Sequence, residues 1–154
     1  MTSSLRGMAR AAALAATAVV AALSAAAPAR AQQADAANGE TQFNRQCVAC
    51  HVVRSPDGRT LAGRTAETGP NLYGVAGRQP GSLPGFVYGD ALVAYGQRGT
   101  SWGEGNFTAY IQSPTGFLRE ALDDRRARAR MAYEVRDPAD ARDIWAYLSG
   151  LPSG

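Results

Sequence analysis

Cys47, Cys50 and His51 stand together in the run CVACHV, in a chain of 154 residues that has no other cysteine and no other histidine. C-x-x-C-H is the attachment sequence of c-type haem. The spacing has a physical reason: two thiols one helical turn apart can reach the two vinyl groups of one porphyrin, and the histidine that follows then lies below the iron. Competing chemistries lack ligands or context. A structural zinc site needs four nitrogen or sulfur ligands, and this strip offers three. A thioredoxin-like C-x-x-C expects a βαβ periodicity that is absent here. A bare disulfide would leave the apolar loops without a core.

One histidine cannot fill both axial positions of an iron. Beyond the first thirty residues the chain has one methionine, Met131, in RARARMAYEV. Buried methionine is usually packing, but this arginine-rich segment gives it little apolar company. Thioether ligation is the expectation, since the His/Met pair raises the reduction potential of a c-type haem.

Several elements must position these groups. Gly39 to Cys50 reads as a helix, with Asn38 as its cap and Phe43 and Cys47 on one face at i, i+4. QQADAAN, residues 32–38, reads as a short polar tether. From Val52 to Gly105 the chain is rich in glycine and proline and has no sustained period. So long an irregular stretch suits a loop wrapped around a large apolar group that supplies the missing core. Helical pattern returns over Asn106 to Gln112 and Thr115 to Leu122. The final helix is the clearest, with Asp137 as cap, Pro138 in the first turn, and Ala141, Ile144, Leu148 and Leu151 on one face, widened by Trp145 and Tyr147. No internal repeat and no second domain is evident, so residues 39–154 read as a single domain.

The first 31 residues read as a secretory signal peptide. Arg6 and Arg10 precede an Ala/Val/Leu run over Ala11 to Ala27, and APARA offers small residues at Ala29 and Ala31 for cleavage after Ala31. An anchor helix is the rival, but a mostly alanine run of this length is short for a span that wants about 20 residues. There is no twin arginine, which favours the general secretory route. Cleavage removes three of the 16 basic residues and none of the 13 acids, leaving a formally neutral protein. Overall charge therefore names no nucleic acid and no membrane as partner. Every basic residue is arginine.

The ordered pieces Gly39 and Phe43, CVACH, TGPNLYGVAGR, GFVYGDAL, SWGEGNFTAYIQSP, RMAY and IWAYL resemble the class I cytochromes c, most of all bacterial cytochrome c2. The likeness covers nearly all of the chain beyond the leader. It implies an all-α fold with crossing N- and C-terminal helices and long loops around one covalently bound haem. It also implies thioether bonds at Cys47 and Cys50, ligation by His51 and Met131, and a Pro70 carbonyl that accepts the other ring N–H of His51. Tyr88 and Trp102 would hydrogen-bond a haem propionate, Arg78 would offset its charge, and Tyr110 would lie beside the Met131 sulfur. Read without the resemblance, these aromatics are core packing. Gly39 and Phe43 would meet the last helix at Ile144 and Tyr147.

By the same resemblance the chain is a monomeric periplasmic electron carrier and not an enzyme. It would run from the cytochrome bc1 complex to a photosynthetic reaction centre or a terminal oxidase, meeting membranes only through those complexes. The family usually docks through lysines. Here arginines must serve, from among Arg45, Arg54, Arg98, Arg119, Arg125, Arg126, Arg128 and Arg130, with DDRRARAR the densest patch. A charge run of this kind is also an ordinary solvated face. Two other classes stay open: a haem enzyme or gas-binding cytochrome with a free sixth position, and an exported thiol oxidoreductase using Cys47 and Cys50.

Overall fold

A computed structural model describes residues 33–152. The expected signal peptide lies outside the described residues. Helix α1 spans Ala36–Gln46. It begins earlier than the sequence suggested because Asp35, not Asn38, caps it: the Asp35 carboxylate accepts from the N–H groups of Ala37 and Asn38 at 2.9 and 3.1 Å. Asn38 is then free to donate its amide to Asp143 Oδ2 at 2.6 Å. The helix ends at Cys47, whose N–H donates to the Phe43 carbonyl.

Two features interrupt the long irregular stretch. Strands β1 (Val53–Arg54) and β2 (Thr60–Ala62) pair antiparallel, with Val53 opposite Ala62 and Arg54 opposite Thr60. Helix α2 spans Asp90–Gly96. At two turns it is too short to show a period, and tertiary packing holds it. Tyr95 is buried with its ring edge-on to Phe117 at 5.1 Å and tilted against Trp102 at 6.2 Å. A Cβ at Gly96 would land on the Pro80 carbonyl, so a bare backbone is required there.

Helix α3 spans Glu104–Gln112 and α4 Pro114–Leu122. The Asn106 side chain turns back to accept from the Gly103 N–H at 2.8 Å and to donate to the Ser101 carbonyl at 2.8 Å. Pro114 separates the two helices by entering α4 in its first turn, where its missing N–H costs nothing. At the other end Asp123 takes a left-handed conformation, φ 52°. The Arg98 guanidinium covers the freed carbonyls of Ala121 and Leu122 at 2.5 and 3.1 Å.

Helix α5 spans Pro138–Gly150, capped by Asp137 as the sequence predicts, and buries Ala141, Ile144, Tyr147 and Leu148. It crosses α1 at Gly39 and Phe43. Phe43 is fully buried with its ring 5.8 Å from that of Tyr147. A Cβ on Gly39 would strike the Asp143 carbonyl oxygen and lie 2.9 Å from Tyr147 Cβ. The closest approach is therefore to Asp143 and Tyr147, while Ile144 joins Phe43 in the core. The architecture is helical, and an aromatic cluster of Trp102, Phe107, Tyr110 and Phe117 meets α5 at Trp145, whose ring lies 5.1 Å from that of Phe107. Among the described residues no helix is long and apolar enough to cross a membrane.

Candidate haem site

The CVACH run forms the turn that leaves α1. The N–H groups of Cys50 and His51 both donate to the Cys47 carbonyl, at 3.0 and 2.9 Å. One turn therefore gathers both thiols and the imidazole. Gly69 seals the turn from outside by donating to the Cys50 carbonyl at 2.7 Å. A Cβ at Gly69 would collide with the His51 ring, so glycine is what lets the chain lie flat on the imidazole.

The next residue fixes the ring. His51 Nδ1 lies 2.9 Å from the Pro70 carbonyl oxygen. A carbonyl can only accept, so the proton is on Nδ1 and Nε2 keeps its lone pair for a metal. Burial pushes the imidazole below its ordinary value, against a smaller opposing effect of the Pro70 bond. The neutral ligand form is the one favoured.

Asn71, absent from the residues expected from sequence, braces this wall. Its side chain accepts from the N–H of Arg54 at 3.0 Å and donates to the Arg54 carbonyl at 2.7 Å, replacing a strand partner. It also accepts from the Tyr73 N–H at 3.0 Å. That last bond is an Asx turn, the one local signal that could have singled Asn71 out.

Arg78 spans the wall beyond. Its guanidinium donates to the carbonyls of Asn71 and Tyr73, both at 3.0 Å, and so bonds neutral groups while partly buried. Burial lowers its affinity for the proton, and the neighbouring Tyr88 works the other way. A cation held this way is suited to an anionic partner supplied from outside the chain. The Trp102 N–H donates to the Arg78 carbonyl at 2.9 Å and the Gly77 N–H to that of Trp102 at 2.8 Å, so Arg78 and Trp102 are locked side by side.

Three staples hold the Met131 segment. The Ala129 N–H donates to Thr115 Oγ1 at 3.1 Å, the Arg130 guanidinium to the Val87 carbonyl at 2.8 Å, and the Val135 N–H to the Ile111 carbonyl at 2.8 Å. Nothing in the local sequence announces Thr115 or Val87 as supports, because the contacts cross from α4 and from the loop before α2.

The wall and the Met131 segment enclose one cavity of about 1060 Å³. Its lining includes Cys47, Cys50, His51, Pro70, Arg78, Tyr88, Trp102, Tyr110 and Met131, which are the nine positions expected from sequence. The remaining wall is largely apolar, with Phe43, Leu72, Val75, Leu92 and Ile111 among it. The volume lies at the upper limit of small-molecule sites, about 300–1,000 Å³. It suits a large flat macrocycle held by an apolar wall, two thiols, a metal-ready nitrogen and the partly buried Arg78 cation.

The thiols themselves argue against redox catalysis. Cys47 and Cys50 are both unpaired. Burial, and next the proximity of Cys50, push the Cys47 thiol up to about 12. A thiol oxidoreductase needs the opposite, a thiolate stabilised near neutral pH. Among the described residues no group of three or more His, Cys, Asp or Glu is placed to hold a metal ion.

No family model matches the chain. Individual relatives do. Cytochrome c2 of Rhodovulum adriaticum is 52% identical over 117 residues, covering 76% of this chain and 92% of that one. The chain belongs to the cytochrome c2 family. Cytochrome c2 of Rhodobacter capsulatus is 45% identical over 134 residues, 87% of this chain and 93% of that one. Among solved structures, cytochrome c2 from Rhodobacter sphaeroides superposes with a TM-score of 0.76 at 41% identity, covering 79% of this chain and 99% of that one. The fold is thus the class I cytochrome c fold, and the helical crossing and wrapped loops are its framework. Haem c is the cofactor of this cytochrome c2 family and electron carriage its function, and the cavity described above fits that group on its own residues.

The docking arginines divide by their contacts. Arg45, Arg128 and Arg130 line the cavity. Arg98 is occupied in capping α4, Arg54 donates to the Arg64 carbonyl, and Arg119 Nε donates to that of Ala127. With Arg130, which both lines the cavity and staples the Met131 segment to Val87, four of the eight candidates have structural work within the fold.

Proposed function

We propose that this chain is a soluble periplasmic one-electron carrier, monomeric and non-enzymatic, running from the cytochrome bc1 complex to a photosynthetic reaction centre or a terminal oxidase. The observation that carries the reading is the convergence of nine residues, dispersed from position 47 to position 131, on one largely apolar cavity. When bound, haem c supplies reversible one-electron exchange at its iron.

The chain's residues account for holding such a group. Cys47 and Cys50 would carry the thioether bonds, and His51 Nε2 and the Met131 thioether would hold its iron. The Pro70 carbonyl keeps the proton on Nδ1 of His51 and so keeps Nε2 available. Arg78, with Tyr88 and Trp102 along the same wall, would neutralise and hydrogen-bond the propionate edge. The apolar wall excludes water, and residues stapled at Ala129, Arg130 and Val135 resist rearrangement. With both His51 and Met131 bound, no position would remain for a small molecule, which would separate a carrier from a gas-binding protein. Arg45, Arg128 and Arg130 at the cavity, beside Val87 at 76% exposure, would form a small charged-rim contact, below about 1,200 Å².

The deciding experiment is an absorption spectrum with intact mass on protein taken from the periplasm of a host with a working haem-maturation system. The expected product is cut after Ala31, carries one covalent haem, and shows the methionine-to-ferric charge-transfer band. A colourless product, or a high-spin one that binds carbon monoxide rapidly when reduced, would sink the reading.

A further inference from the structure

Between Arg130 and Val135 the chain has four residues, and among the described residues their only hydrogen bond is made by the Tyr133 hydroxyl. It donates to Gln46 Oε1 at 3.0 Å. Tyr133 is 48% exposed, so burial does little to hold its ring. Between the staples at Arg130 and Val135, the hydroxyl is the one polar link from this stretch to the body of the protein.

Gln46 is itself held on the other side. Its Nε2 donates to Asp140 Oδ2 at 3.1 Å and to Gln42 Oε1 at 2.9 Å. This pair of acceptors settles the amide's orientation, because a flipped Gln46 would turn its oxygen toward a carboxylate. With the amide oriented so, Oε1 is left facing Tyr133, and Tyr133 must donate. Gln46 thereby joins three elements: α1 next to Cys47, the first turn of α5, and the Met131 segment.

We propose that Gln46 is a positioning residue that tethers the Met131 segment to the α1–α5 crossing through Tyr133 and so sets how readily that segment opens. The tether is a property of the chain alone. Its consequence at the iron rests on the reading of Met131 as a ligand.

The test is hydrogen exchange of backbone amides in the purified holoprotein, comparing the parent with Tyr133→Phe, Gln46→Leu and the double variant. Loss of one net hydrogen bond is expected to speed exchange of the two hydrogen-bonded amides that flank the segment, Ala129 and Val135, about two- to tenfold. Amides of α3 and the centre of α5 should keep their rates. The double variant should exchange no faster than the faster single one, since both remove the same link. Unchanged exchange in Tyr133→Phe, or fully multiplicative effects in the double variant, would overturn the proposal. Tyr133→Phe removes one exposed hydroxyl and leaves the packing intact, so a folding failure of Gln46→Leu would not obscure the result. Imidazole binding to the ferric protein should tighten by a similar factor in both variants. The charge-transfer band of the parent tests the ligand separately: its absence would remove Met131 from the iron and leave the exchange result standing.

Discussion

Gly39 of α1 lies so close to Asp143 of α5 that a single added methyl would occupy the position of the Asp143 carbonyl oxygen. The two helix backbones touch there without a side chain between them. Asn38 and the Asp35 N–H both bond the Asp143 carboxylate, at 2.6 and 2.8 Å, and pin the same point from outside. The crossing fixes α1 against α5, and α1 leads directly into the turn that begins at Cys47.

Gly39→Ala should therefore destabilise the protein by at least about 2 kcal/mol, because the clash is with backbone and cannot be relieved by a rotamer change. Gly39→Val should cost more. Urea unfolding followed by far-ultraviolet circular dichroism reads the shift. An unchanged midpoint would mean the helices can slide apart freely.

Met131→Ala tests the second axial ligand. The variant should lose the methionine charge-transfer band of the ferric protein and show a lower reduction potential, since thioether ligation raises it. Retention of both features would exclude Met131. Redox titration and a near-infrared spectrum of one sample suffice.

Tyr110 provides a pH test. Burial, with a smaller contribution from Tyr88, pushes its hydroxyl up to about 12. The native state holds this proton where the unfolded chain loses it, near 10. The resulting stabilisation is fully present below about pH 10, and is lost as pH rises from there through about 12, on the order of 2 kcal/mol in all. In Tyr110→Phe the fall in urea midpoint over this window should be shallower, with a remainder from Tyr88 and Tyr147, which burial also shifts upward. A slope equal to the parent's would show that Tyr110 contributes nothing to it.

Arginines at the cavity and in the fold should separate experimentally. Replacing Arg45 and Arg128 by alanine, with the Arg130 staple left in place, should flatten the decline of electron-delivery rate with ionic strength, because exposed rim charges act through screened long-range attraction. Arg98→Ala should leave that profile alone and lower stability by about 1 kcal/mol or less, since its bonds go to the last carbonyls of α4. Stopped-flow kinetics against a salt series, paired with unfolding curves, distinguishes the two. Identical behaviour of both variants would erase the division.

Much of this protein was legible in one dimension. The attachment turn is local, so the spacing of Cys47, Cys50 and His51 carries its chemistry in five consecutive residues. The last helix is similarly self-announcing, through Asp137, Pro138 and an apolar face repeating at helical spacing. Local structure hid where local signals are weak: α2 has two turns and the β1–β2 pair five residues, and both owe their form to partners distant in sequence. Asn38 looked like a cap by residue type, yet Asp35 caps the helix three residues earlier, at the N–H groups of Ala37 and Asn38, and leaves Asn38 to bond α5.

From residue types and order alone came the covalent attachment, the imidazole and the kinship to known carriers. Only the folded chain decided which carbonyl fixes the His51 tautomer, that Asn71 supports the cavity wall, that Arg98 caps a helix, and that Tyr133 reaches Gln46. The reason is physical. Helical turns and bond-forming motifs depend on neighbours a few residues apart, whereas a hydrogen bond between positions 46 and 133 depends on every packing contact that brings α1, α5 and the Met131 segment together.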